Sequence, residues 1–364
     1  KNLSVSGTTT LNTDVSTSGT QTYTGAVTLA TANRTLTGTT ITNSSTITGA
    51  TFSLAITGNS VINGAISGVN VFSVSGTTNI SANSISTTGT QTYSGAVTLS
   101  NSGTLTLTTT DDNISLYSIA GSGKNLTLTP GTGTIGVTTT VGSSGSGLGL
   151  LVVTNSSGTT FGGAFEAEAV VLTDTTGTIT FTGATTITSA IGLRTAAQDY
   201  NVAFNSSGTN TIQGITSFLN TGTLTFGNNG TSNFAAGLTA TAPSSVSIYG
   251  TVQTTNTTLL INSPITLTGN SIISGNTLGN ITLSGTINGG YTLDLNTTGT
   301  TTLSGTVGAI TSLTSLTTNT GGTTAINGGS VKTTGAQTYN DAVTLGANTT
   351  LTTTASAITF ASTV

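Results

Sequence analysis

The feature that most constrains this chain is a short alternation of polar and aliphatic residues, repeated from one end to the other. Thr104-Leu105-Thr106-Leu107, Thr178-Ile179-Thr180-Phe181, Thr223-Leu224-Thr225-Phe226 and Thr292-Leu293-Asp294-Leu295 are examples. A period of two places the aliphatic side chains on one face of an extended strand and the hydroxyls on the other. Gly, Asn and Ser-Gly steps interrupt the alternation every ~8 to 12 residues, where turns are required. No segment carries a helical period, so the chain is expected to be all-β.

Length alone suggests two or three globular domains. Composition opposes that division. Thr makes up roughly a quarter of the 364 residues, Gly numbers 49, and charged residues are 4%, far from the balance of an ordinary globular domain. Disordered chains share the low complexity, but they lack β-branched residues and carry more net charge. With 34% hydrophobic residues in register with Thr and Ser, a folded protein is expected.

One block recurs three times. Gly19-Thr20-Gln21-Thr22-Tyr23 through Leu29 returns at Gly89 to Leu99 and at Gly335 to Leu345. Smaller echoes are Val61-Ile62-Asn63-Gly64, Thr286-Ile287-Asn288-Gly289 and Ala325-Ile326-Asn327-Gly328. Repeats of this kind fit two architectures. Tandem β-sandwiches recur at a fixed domain length and favour a core Trp. A parallel β-solenoid stacks coil upon coil, with turn residues forming ladders. The chain has no Trp, its strands are very short, and its blocks recur at unequal intervals. A parallel β-helix with coils of roughly 20 residues is therefore expected, with tandem sandwiches as the alternative. It would run from 1 to 364 as one continuous solenoid segment of a longer chain, since a sequence opening on Lys1 reads as processed or internal. A divergent, less Thr-rich stretch lies at about 143–205, either irregular coils or a recognition patch.

The run 335–351, with Gly322-Thr323-Thr324-Ala325-Ile326-Asn327-Gly328-Gly329-Ser330-Val331 before it, resembles the β-strand repeats of very large bacterial surface proteins, the filamentous-haemagglutinin-like and autotransporter-type adhesins. The resemblance extends over 305–364 and 1–110 and thins between them. It implies a right-handed helix, export from a Gram-negative-type cell to the extracellular surface, and a role in cell adhesion or cell contact. It brings no catalytic residue with it.

The chemistry of the chain points the same way. It has no His and no Cys, which removes Ser-His-Asp and Cys-His nucleophiles and thiolate or imidazole zinc sites. Gly121-Ser122-Gly123-Lys124-Asn125 lacks the hydroxyl that a phosphate-binding loop requires. No apolar run approaches the ~18 residues of a membrane span, and a net charge of −4 offers nothing to nucleic acid. Catalytic, cofactor-binding and metal sites are all expected to be absent, and the chain is expected to be a non-enzymatic stalk or filament. Its candidate partners are further copies of itself, end to end or side by side, and glycan or protein on a host or neighbouring cell.

Two other functions compete. Thr104/Thr106 and Thr178/Thr180 offer hydroxyl pairs of the sort an ice-binding face needs. Glu166 and Glu168, two apart on one strand face, match the carboxylate separation of a glycosidase. A solvated Glu-x-Glu strand matches it equally well. Asp111-Asp112-Asn113 reads as a turn. Tyr23, Tyr93 and Tyr339 are expected in the core or packing against turns, with a sugar-stacking platform as the alternative. Asn-x-Ser/Thr sequons, among them Asn33-Arg34-Thr35, Asn125-Leu126-Thr127 and Asn256-Thr257-Thr258, would accept glycans on the outer surface.

Overall fold

The computed structural model describes residues 1–142, 145–173 and 175–364. Ser143, where the divergent stretch begins, lies outside the described residues. The fold is a right-handed parallel β-solenoid. Contacts divide the chain into two compact units, Lys1–Thr178 and Ile179–Val364, and each is built in the same way.

In the first unit a coil contains three short strands separated by corners. Leu3–Val5, Thr9–Leu11 and Val15–Ser16 form one coil. Gln21–Tyr23, Val27–Leu29 and the start of Arg34–Asn43 lie directly upon them in parallel register. Every inward position then meets its counterpart in the next coil. Val15, Leu36, Ile56, Val74 and Tyr93 form one such column. Val27, Ile47, Ile66, Ile85 and Leu107 form another. The burial strings show the cause, since strands such as Val27–Leu29 and Phe72–Val74 alternate between buried and open positions. The coil rise is the spacing of hydrogen-bonded strands, ~4.8 Å. An aliphatic side chain at each inward site therefore touches its equivalents above and below, and the core is continuous along the axis.

Coil length is not constant. Leu3 pairs with Gln21, 18 residues on, whereas Leu126 pairs with Leu151, 25 residues on. The excess is absorbed at corners and the strand register is kept. The stretch beyond residue 145 obeys this rule. Leu148–Thr154 continues the ladder on Asn125–Thr129, and Phe165–Thr173 continues it on Leu148–Thr154.

The second unit repeats the three-strand coil. Its inward column Val202, Leu224, Val246, Ile265 and Ile287 is continuous through four pairings. Where aliphatic residues give way to aromatics, the rings fill the interior. Phe204 stacks on Phe181 (centroids 5.2 Å apart) and on Phe226 (5.9 Å), and meets Phe218 and Phe234 edge-on.

Corners hold successive coils through side chains as well as backbone. Asn59 Oδ1 accepts the Thr77 backbone N–H, Asn113 Oδ1 that of Thr134, and Asn280 Oδ1 that of Thr300. The expected side-chain ladders are therefore in large part Asn-to-backbone bonds, each satisfying a corner N–H that the turn removes from the ladder. Asn63, Asn79 and Asn70 also take hydroxyl bonds from Ser81, Ser100 and Thr88 of the next coil.

Candidate functional site

The thrice-repeated block is a buried corner. Tyr23, Tyr93 and Tyr339 are each 1% exposed or less, and Gln21, Gln91 and Gln337 are fully buried. The tyrosines thus belong to the core and offer no platform to a sugar. Each phenol donates to the Oε1 of the glutamine two residues before it, at 2.9, 3.1 and 2.9 Å. The glutamine Nε2 donates back to the backbone carbonyl six residues earlier (Val15, Ile85, Val331). It also donates forward to a carbonyl of the next coil (Thr37, Thr108, Thr352). The threonine four residues earlier is a longer contact in all three copies and itself bonds the glycine carbonyl two residues on, as Thr87 bonds Gly89. The unit of repetition is therefore Thr-x-Gly-x-Gln-Thr-Tyr, two residues longer than the sequence block suggests. Burial pushes the phenols of Tyr93 and Tyr339 far up, so both stay protonated and remain donors.

The corner is portable. Gln21 stacks in the column of Leu3 and Ile41, whereas Gln91 stacks in that of Phe72 and Ile114, a different face of the coil. Just past the tyrosine the copies diverge. Gly25 and Gly95 lie so close to the coil below that a Cβ would meet a backbone carbonyl at 2.3 and 2.4 Å. The third copy carries Asp341 there. Its carboxylate is 1% exposed and accepts bonds from the Gly322 N–H and the Thr324 hydroxyl.

Burial raises the Asp341 carboxyl above its ordinary value of 3.8, with the two hydrogen bonds opposing the shift. A raised folded-state value means that this group's stabilisation is complete below about 3.8 and is lost as pH climbs through the folded value. Asp341→Asn is accordingly expected to raise the melting temperature at neutral pH, and to give no gain below pH 4. Thermal denaturation of both proteins between pH 3 and 8 checks this. A variant less stable than the parent at pH 7 contradicts it.

The carboxylates of Glu166, Glu168 and Asp111, unlike that of Asp341, lie on the outside. Glu166 is half-buried and Glu168 exposed on Phe165–Thr173, and Glu166 Oε1 accepts the Gly145 N–H. Asp111 takes the left-handed conformation of the turn read from sequence, and its Oδ1 accepts the Thr132 N–H. The Gly121–Lys124 loop is a tight turn, with Ser122 and Gly123 at positive φ, and it leads into a strand. Among the described residues no three carboxylate, His or Cys groups come together as a metal site. No helix there is long and apolar enough to cross a membrane, which leaves strand-built spans unaddressed.

What the coils do present is hydroxyl. On one face of the first unit Thr10, Thr28, Thr48 and Ser67 lie in one outward file. Further along, Ser84, Thr106 and Thr127 form a file beside that of Ser86, Thr108 and Thr129. Thr104 pairs with Asn125, so the expected Thr104/Thr106 pair continues for one coil as Asn125/Thr127. In the second unit the equivalent file runs Thr209, Thr231, Thr251, Ile272, Asp294. No protein-family model matches the chain, and no curated protein or solved structure matches it either.

Proposed function

We propose that the chain is a non-enzymatic structural stalk or filament segment, exposed outside a bacterial cell of Gram-negative type as part of an adhesin or contact fibre. One observation carries this reading. Each coil commits its inward positions to stacking and its corners to inter-coil bonds, and leaves outside a repetitive hydroxyl and amide surface. Such construction extends length at constant cost per coil and builds stability from nearest-neighbour contacts. Glu166 and Glu168 lie on the outer side of Phe165–Thr173, where Glu166 accepts the Gly145 N–H and Glu168 is exposed. The sequence resemblance at 305–364 supplies the adhesin context.

An ice-binding role rests on the hydroxyl files. The surface Thr10–Thr28–Thr48–Ser67 is one residue wide, and it repeats in one dimension. The Ser84/Ser86 to Thr127/Thr129 patch is two wide for three coils only. The stalk is the better-supported reading.

Electron cryo-tomography of producing cells, with antibody raised against this chain, tests it. Label strung along thin fibres at the cell surface is the expected result. Label confined to the cell interior, or thermal hysteresis by the purified chain, overturns it.

A further inference from the structure

The outer face of the first unit carries one side chain that neither the coil stack nor a corner accounts for. Tyr117 is 47% exposed, and among the described residues of Lys1–Thr178 it is the one large apolar side chain left in the open. It is distinct from the buried tyrosines of the repeated block. Strand Ile114–Ala120 places it there by alternation, with Ile114 and Leu116 inward and Ser115 and Tyr117 on the outer face. The Thr139 N–H and hydroxyl both donate to the Tyr117 carbonyl at 2.8 Å, which fixes the backbone beneath the ring.

Register surrounds that ring with hydroxyls. Ser115 pairs with Thr92 in the coil before and with Gly136 in the coil after. Leu116 pairs with Tyr93 and Val137, so the next residue in each coil, Ser94 and Thr138, flanks Tyr117. The two rows form a small grid, ~4.8 Å from coil to coil and ~6.6 Å along each strand. Its open corner is Gly136, where an added Cβ would meet nothing within 4 Å. Thr92, Ser94, Ser115, Tyr117 and Thr138 line an open cleft of about 190 Å³ over the buried Tyr93 and Leu116.

The lining selects the ligand. Among the described residues no charged side chain borders the cleft, so neither an anion nor a cation finds a counter-charge in it. A lone ring among hydroxyls is too small an apolar surface for a stable protein interface, which buries ~800 Å² a side. The match is a molecule with an apolar C–H face and a hydroxyl edge. The electron-rich face of an aromatic ring attracts the C–H groups, and side-chain hydroxyls both donate to and accept from the edge. A saccharide ring has both surfaces. The cleft is smaller than the ~300–1,000 Å³ of a pocket that encloses a whole ligand, so it takes one ring of a longer chain. We propose that the Tyr117 cleft binds a neutral glycan, with one hexose ring stacked on the tyrosine and held at its edge by Thr92, Ser115 and Thr138. The proposal rests on the adhesin reading for its setting. Its failure would remove the site and leave the stalk, which tomography tests separately.

The whole chain, biotinylated and displayed on streptavidin so that avidity makes a weak single-ring contact readable, is applied to a glycan array. The array carries glucose, mannose and galactose oligosaccharides, with sialylated and sulfated glycans alongside, and circular dichroism verifies the fold of each variant. Binding within the neutral set is expected. Tyr117→Ala reduces it about tenfold, Tyr117→Phe keeps most of it, and the pair Thr92→Val and Ser115→Ala weakens it. Tyr291→Ala, at the exposed tyrosine of the second unit, leaves it unchanged. Binding confined to charged glycans, binding that survives Tyr117→Ala, or an equal loss with Tyr291→Ala overturns the proposal. So does an array with no glycan bound, which would leave the ring to a protein partner.

Discussion

Replacing Gln91 with alanine is expected to cost the first unit roughly 3–5 kcal/mol, far more than an Ala substitution at its neighbour Thr92. The reason is the number of groups one amide satisfies. Its Nε2 serves the Ile85 and Thr108 carbonyls at 3.1 and 2.8 Å, and its Oε1 receives the Tyr93 phenol. All lie in a corner closed to water. Removing the amide strands two carbonyls and one hydroxyl, each at a desolvation cost of ~1–3 kcal/mol, partly relieved by relaxation. Thr92 is half-open on the outer side of the strand. Gln91→Glu is the sharper control. It keeps the volume but faces two carbonyls with a carboxylate, so it is expected to destabilise strongly at neutral pH and less once protonated. Thermal melts of the three variants at pH 4 and pH 7 read this directly. Equal losses for Gln91→Ala and Thr92→Ala would show that the corner bonds contribute little.

The second large effect is expected at Phe204. Its ring is 1% exposed and touches four others, and Phe204→Ala is expected to cost about 3–5 kcal/mol through the cavity it leaves. In a stack of coils that couple mainly to their neighbours, this loss stays local. Hydrogen exchange should therefore accelerate in the coils around 200–248, while Thr292–Thr297 and Thr323–Ile326, several coils away, keep their protection. Uniform acceleration across 179–364 would mean that the unit unfolds as one cooperative body.

Much of this architecture is legible in the sequence, because period-two alternation is a local property. Thr104-Leu105-Thr106-Leu107 declares its inward face without reference to any other segment, and burial follows it. The corner was only half visible. The forward bond of the glutamine reaches a carbonyl 16 residues on in the first copy, 17 in the second and 15 in the third. Variable coil length hides a partner that has no fixed spacing. The Thr at the head of the motif is shared by all three copies, yet its meaning emerges only when the corner closes. Asp341 falls where Gly25 and Gly95 fall, and nothing local announces that its carboxylate is enclosed.

The exposure of Ile191, 49% open on the outer surface, escaped for the opposite reason, since there the alternation misleads. Ile187, Ile191 and Leu193 share one parity, which places all three inside. Ile187 and Leu193 are buried, but the turn at Gly192 against Gly214 carries Ile191 out. A backbone contact between two glycines 22 residues apart overrides the pattern, and no window of the sequence contains both ends of it.

The most direct test of the coil stack uses a pair of spin labels. The chain has no cysteine, so Thr28→Cys and Thr48→Cys introduce the sole attachment points, on outward positions paired across adjacent coils. Parallel stacking places their Cα atoms at about the strand spacing, ~5 Å, and strong dipolar broadening is expected in the doubly labelled protein relative to either single label. A doubly labelled spectrum equal to the sum of the two singles would put these residues in separate parts of the fold and contradict the solenoid.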